Sequence, residues 1–188
     1  LRGHKVTVYE KKDVLGGVFI AAAAPSFKEK DRELLAWYEK EMKDLGIEIR
    51  LNTEVTDISG LNADEIIVAT GSKPRKLRVK GAEKGVEACD YLFGNKEVGQ
   101  KVIIIGGGLS GCEIALDLFK KGKTPVIVEM KNDLIAVKGV CLANSSYLRD
   151  FFALNKVEVH LNTALCEITD NGVKVKDKEG KEFDIEGD

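Results

Sequence analysis

Lys101-Val-Ile-Ile-Ile-Gly-Gly-Gly-Leu-Ser-Gly111 is the stretch that decides the fold. Its β-branched opening, residues 101–105, has the pattern of a strand buried on both faces, as parallel-sheet strands are. Cys112, Ala115, Leu118 and Phe119 then recur at helical spacing, and Lys120, Lys121 and Gly122 close the helix with two cations and a C-terminal glycine. Thr124-Pro-Val-Ile-Val-Glu129 reads as the next strand. Strand, glycine turn, helix and strand make a βαβ unit. Within it, Gly106-x-Gly108-x-x-Gly111, with Glu129 at a strand end eighteen positions later, forms the dinucleotide fingerprint in its required context. Gly106 permits the tight turn. Gly108 lets a pyrophosphate approach backbone N–H groups at the positive helix end, and Gly111 lets helix and strand pack closely. Gly107, Leu109 and Ser110 complete the loop. Glu129 offers acceptors to a ribose diol and repels a 2′-phosphate, which favours NADH over NADPH, while Lys131 nearby weakens that preference.

Outward from this unit the chain repeats itself. Gly3-His-Lys-Val-Thr-Val-Tyr-Glu10 matches Gly122-Lys-Thr-Pro-Val-Ile-Val-Glu129 in pattern, and Ile47-Glu-Ile-Arg-Leu-Asn-Thr53 matches Val157-Glu-Val-His-Leu-Asn-Thr163. A helix precedes each of the latter pair. The first is expected over about 27–45, with a capping box of Ser26 and Glu29, an apolar stripe of Phe27, Leu34, Leu35, Tyr38 and Met42, and Gly46 as its stop. Tyr38 reads as core. The second is expected over about 145–154, with Leu148, Phe151 and Phe152 inward. Such a repeat is worth more than any single motif. It makes Glu10, followed by Lys11 and then Gly16 and Gly17, a second ribose-binding carboxylate with a double-glycine turn, suited to the ADP half of another dinucleotide. Ile66-Ile-Val-Ala-Thr-Gly71 reads as an apolar strand whose small end, Ala69, Thr70 and Gly71, lets backbone approach a ligand. The tail, 164–188, reads as a β-meander with turns at Asp170-Asn-Gly172 and Lys178-Glu-Gly180. The expected fold is therefore α/β, with two Rossmann-like three-layer domains: 1–97, lacking its first βα unit, and 98–188, carrying the meander and lacking its final strand. By the repeat, the missing pieces lie outside both ends, so the sequence reads as the inner segment of a longer protein. Unpaired edges in the first domain are expected to recruit another chain by strand swapping or homo-oligomer formation.

Composition narrows the function. The 188 residues carry 29 Lys+Arg against 31 Asp+Glu, a formal net charge of −2, which argues against nucleic-acid binding. The basic cluster Lys73, Arg75, Lys76, Arg78 and Lys80 reads as a solvated connector or a docking surface. No apolar run approaches the ~20 residues that cross a bilayer. Cys89, Cys112, Cys141 and Cys166 have no C-x-x-C spacing, which excludes the usual zinc, iron–sulfur and thioredoxin-type motifs and suits reduced thiols of a cytoplasmic protein. Two histidines, His4 and His160, leave little room for a histidine-based active site. No catalytic or metal-binding residue is expected.

On these motifs the chain resembles the two-dinucleotide-domain flavoprotein reductases, the fold shared with thioredoxin reductase and glutathione reductase. Residues 3–10, Leu15-Gly-Gly17 and Gly99-Gln-Lys-Val-Ile-Ile-Ile-Gly-Gly-Gly108 resemble most the C-terminal half of 2-enoate reductase, 2,4-dienoyl-CoA reductase and trimethylamine dehydrogenase, the NADH:flavin oxidoreductases. The resemblance implies that Glu10 holds FAD ribose, that the backbone at Val55 touches adenine, that the Ala69-Thr70-Gly71 strand lines the flavin domain, and that Glu113 lies near the nicotinamide. It also implies an N-terminal barrel with FMN and a four-iron cluster, absent here. The disulfide-reducing branch is rejected: no cysteine lies between Glu10 and Cys89, and no C-x-x-C is present. The expected function is hydride transfer from NADH to FAD in a parent enzyme that reduces activated C=C bonds, the fragment alone being inactive. The competing reading is a non-catalytic module that holds an ADP moiety as structural filler.

Overall fold

A computed structural model describes residues 2–188. The chain packs as two units, one of residues 1–24 and 28–74, the other of 25–27 and 75–188. The first holds strand β1 (Thr7–Tyr9), helices α1 (Val18–Ala22) and α2 (Glu29–Asp44), and strand β2 (Glu48–Arg50). β1 and β2 pair in parallel, Val8 opposite Ile49. Among the described residues of this unit, Ala21 and Ala23 are the fully buried ones.

Three expectations for this region fail. α2 starts at Glu29 behind Lys28, with no side-chain cap, because the Ser26 N–H is turned instead toward the Asp117 carboxylate at 2.8 Å and Phe27 packs into the core of the second unit. Tyr38 is half exposed rather than core, its ring tilted against that of Trp37. Residues 66–69 form no strand: Ile67 is 90% exposed, because an apolar run becomes a strand only where a neighbouring strand satisfies its backbone.

The second unit opens with a 3₁₀ turn at Ala82–Lys84 and helix α3 (Ala88–Leu92). It continues through β3 (Lys101–Ile105), α4 (Leu109–Lys120), β4 (Thr124–Val128), α5 (Leu142–Leu154) and β5 (Glu158–His160). β6 (Ala164–Thr169), β7 (Gly172–Lys176) and β8 (Glu182–Glu186) complete it. β3, β4 and β5 form a parallel sheet in that order, with Ile105 opposite Val128 and Val128 opposite His160. β6, β7 and β8 form the expected antiparallel meander. Alternation along β4 explains the layering. Ile127 points to the helices, where it meets Cys112, Ala115, Leu148 and Phe152. Val126 and Val128 point the other way, onto Val173, Val175 and Ile185 of the meander. Helices, parallel sheet and meander are the three layers of the α/β class. No helix of the described residues is long and apolar enough to cross a membrane.

Candidate dinucleotide site

The glycine turn sits where β3 ends. Gly106 takes φ +110°, a conformation open to glycine, and its N–H donates to the Val128 carbonyl at 2.8 Å, tying the turn to β4. At Gly111 a Cβ would collide with the carbonyl oxygen of Gly106, so helix and turn approach as closely as the backbone allows. At Gly106 and Gly108 a Cβ would meet nothing within 4 Å. This open face of bare backbone beside a helix N-terminus is what a pyrophosphate needs. The helical ladder begins with the Cys112 N–H donating to the Gly108 carbonyl at 2.9 Å, which leaves the N–H groups of Leu109, Ser110 and Gly111 outside it. The Ser110 side chain is exposed, whereas the Leu109 side chain packs into the core.

Gly107 is the buried member of the turn, and it is held at both polar atoms. Its N–H donates to Glu129 Oε2 at 2.7 Å. Its carbonyl accepts from the Ile135 N–H at 2.7 Å and from the Cys112 thiol at 3.4 Å. Burial pushes that thiol up to about 12, so Cys112 stays a neutral donor. Glu129 is only 8% exposed, and its Oε1 accepts the Lys131 N–H at 2.8 Å. Two of its roughly four acceptor positions are thus filled, and the rest suit hydroxyl donors. Glu113 is half-buried on α4, two residues beyond Gly111.

The repeat extends to individual hydrogen bonds. The Glu129 N–H donates to the His160 carbonyl at 2.8 Å, and the Glu10 N–H to the Arg50 carbonyl at 3.0 Å. Glu129 and Glu10 each accept, through Oε1, the N–H two residues on, Lys131 or Lys12, at 2.8 Å. The N–H of Thr163 or Thr53 donates to the glutamate carbonyl at 3.0 or 2.9 Å, and Asn162 and Asn52 both adopt left-handed φ, +52° and +51°. Among the described residues the copies differ in one respect: Glu129 also accepts a glycine-turn N–H, whereas half-buried Glu10 accepts the Lys12 N–H.

The remaining expected residues are more dispersed. Gly16 and Gly17 form the turn into α1, with φ +115° and +53°, and a Cβ on Gly16 would press on Ile20 and Leu35 at 3.0 and 3.1 Å. Lys11, Val55, Ala69, Thr70 and Gly71 are exposed. The sequence reading missed the segment 133–135. Leu134 and Ile135 are buried directly against Gly107, and an adjacent apolar pair soon after a strand end was the available signal. Nothing in the sequence pointed to Arg149, which holds that segment.

A glycine turn between a parallel strand and a helix, met by a buried carboxylate from the next strand, defines the class of Rossmann-like dinucleotide-binding oxidoreductases. The chain belongs to the pyridine nucleotide-disulphide oxidoreductase family, whose model matches residues 59–187. It is 47% identical over its full length to a cinnamate reductase from Clostridium sporogenes and 37% identical, over 96% of its length, to an NADH oxidase from Thermoanaerobacter brockii. It spans 29% of each of these relatives. A solved 2-naphthoyl-CoA reductase superposes on 99% of the chain with a TM-score of 0.87 at 29% identity, the chain covering 28% of it. These matches bear out the resemblance to the 2-enoate reductase type. A thioredoxin reductase from T. acidophilum shares the fold, with a TM-score of 0.74 at 23% identity. The family binds FAD and NAD(P).

Proposed function

We propose that this chain is the dinucleotide-binding module of a flavin-dependent reductase that takes hydride from NADH to FAD, the longer protein reducing activated C=C bonds such as those of 2-enoates or 2,4-dienoyl-CoA. The observation that carries the reading is the buried Glu129 carboxylate, already locked to the turn by Gly107 and Lys131, beside an open glycine face. In this reading residues 98–188 hold NADH and residues 1–97 contribute to holding FAD.

NADH supplies the hydride and FAD accepts it; the protein's own part is to bind and orient. The N–H groups of Gly108 to Gly111 receive the pyrophosphate of NADH. Glu129 receives its ribose hydroxyls and repels the 2′-phosphate of NADPH. Glu113 lies toward the nicotinamide. Glu10 receives the FAD ribose, with Lys11, Gly16, Gly17 and the Val55 backbone around its ADP half and Ala69, Thr70 and Gly71 toward the flavin. An N-terminal barrel carrying FMN and a 4Fe–4S cluster would pass the electrons on, in the cytoplasm.

Calorimetric titration with NADH, NADPH and ADP, with and without added FAD, tests the reading. NADH binding that exceeds NADPH binding, together with bleaching of flavin absorbance by NADH, supports it. Tight ADP binding with no flavin reduction would favour a structural nucleotide-holding module instead.

A further inference from the structure

The segment between β4 and α5 carries a feature that nucleotide binding alone does not require. Leu134 and Ile135 are 5% and 3% exposed, and Ile135, a β-branched residue, sits at φ +51°. That conformation is costly for such a side chain and persists only where the surroundings impose it. Here the polar restraint comes from α5. Arg149 donates from Nε to Asp133 Oδ1 at 3.1 Å, forms an ion pair through Nη2 with Asp133 Oδ2 at 2.9 Å, and donates from Nη2 to the Leu134 carbonyl. The planar guanidinium fork thereby fixes two consecutive residues at once. Lys131 closes the segment from its other side, Nζ donating to the Ala136 carbonyl at 3.2 Å. The restrained piece then bears on the glycine turn: the Ile135 N–H holds the Gly107 carbonyl at 2.7 Å, and Leu134 Cδ2 lies 2.5 Å from where a Gly107 Cβ would stand.

We propose that Arg149 is a positioning residue for the nucleotide loop: it clamps residues 133–135 so that Ile135 and Leu134 fix Gly107 and aim the neighbouring backbone N–H groups. The proposal rests on the reading of 106–111 as the nucleotide turn. Among the described residues Arg149 is bonded to Asp133 and Leu134 and not to the turn, and it acts through the strained segment.

The test combines amide hydrogen exchange of the ligand-free chain with calorimetric NADH titration for wild type, R149K, R149M and D133N. V175A serves as a control that destabilises the meander core, whose cluster does not include residues 133–135. In R149M the amides of Ile135 and Gly107 should exchange faster, and NADH should bind about tenfold more weakly, as expected for a small misplacement of binding groups. R149K, which keeps a cation but not the fork, should fall between, and V175A should lower the melting temperature with NADH affinity unchanged. D133N carries the test if R149M does not fold, and it should loosen the same two amides. Wild-type affinity and unchanged exchange in R149M or D133N would overturn the proposal alone. Failure of the wild-type chain to bind NADH, NADPH or ADP-ribose would overturn the nucleotide reading and the proposal with it.

Discussion

Glu129→Ala tests whether the acid at the end of β4 is built into the turn or merely stands near it. The carboxylate is buried and accepts two backbone N–H groups, from Gly107 at 2.7 Å and Lys131 at 2.8 Å. Alanine leaves the buried Gly107 N–H without a partner, at a cost of about 1–3 kcal/mol, and removes a second charge-assisted bond. The loss of stability should therefore total about 2–4 kcal/mol, which for a chain of this size lowers the melting temperature by about 5–12 °C. Glu129→Gln should fall between wild type and alanine, because the amide has one acceptor oxygen for two donors and its NH₂ opposes the other N–H. The repeat provides an internal control. Glu10 makes the same local bond to the N–H of exposed Lys12 and, among the described residues, none to a glycine turn. Glu10→Ala should cost less than about 1 kcal/mol. Melts followed by circular dichroism decide the matter: equal, small shifts for both alanine variants would refute the claim that Glu129 organises the turn.

Gly111→Ala should cost at least about 2 kcal/mol and weaken NADH binding, because the methyl meets the Gly106 carbonyl backbone; a melt and a titration read both effects. Burial pushes the Asp117 carboxyl up, but the Lys121 ammonium at 2.6 Å and the Ser26 N–H outweigh it and hold the group below its ordinary value. A depressed folded-state value gives stability that is present above the usual carboxylate range and lost as pH falls through the folded value. Asp117→Asn should thus destabilise the chain at pH 7, and the gap between variant and wild type should close in acid melts below about pH 4. Phe152→Ala, at a fully buried core position, should cost about 3–5 kcal/mol in a denaturant titration. Thiol titration of the native chain should find exposed Cys141 reactive and Cys112 silent, since Cys112 is buried and its pKa is raised to about 12.

Where a pattern carried both its own periodicity and its own partners, the sequence was readable. The run 101–105, the glycines, the α4 stripe and β4 lie within one βαβ unit, so each element's neighbour is local and the fold follows. The meander was legible for the same reason, with β6, β7 and β8 joined by short turns. The failures share the opposite cause. The apolar run 66–69 resembles the run 101–105 in composition, but strand formation depends on a hydrogen-bonding neighbour that composition does not report. Ser26 had the spacing of a capping residue, yet Asp117, ninety-one positions away, takes its N–H, and no local rule anticipates that competition. Arg149 escaped notice because a lone arginine on a helix usually faces solvent, and its two partners become neighbours only once α5 lies beside the turn.

The two copies show how much of a ribose hook is scaffold and how much is setting. Strand end, glutamate, lysine N–H, left-handed asparagine and threonine bond are reproduced in both, so the chain builds the same carboxylate-presenting corner twice from Glu-x-Lys and Leu-Asn-Thr. The corner alone leaves the acid half-buried, as at Glu10. Adding a glycine turn on one side, braced by residues 133–135 on the other, fixes the second oxygen and buries the group, as at Glu129. A carboxylate fixed before its ligand arrives forfeits less freedom on binding than one that must be ordered by the ligand. The second unit should therefore bind a ribose more tightly than the first when both are titrated in the same chain. With ADP as a ligand common to both corners, the tighter binding event should be lost in Glu129→Ala and the weaker one in Glu10→Ala, and the reverse order of sensitivity would refute the asymmetry.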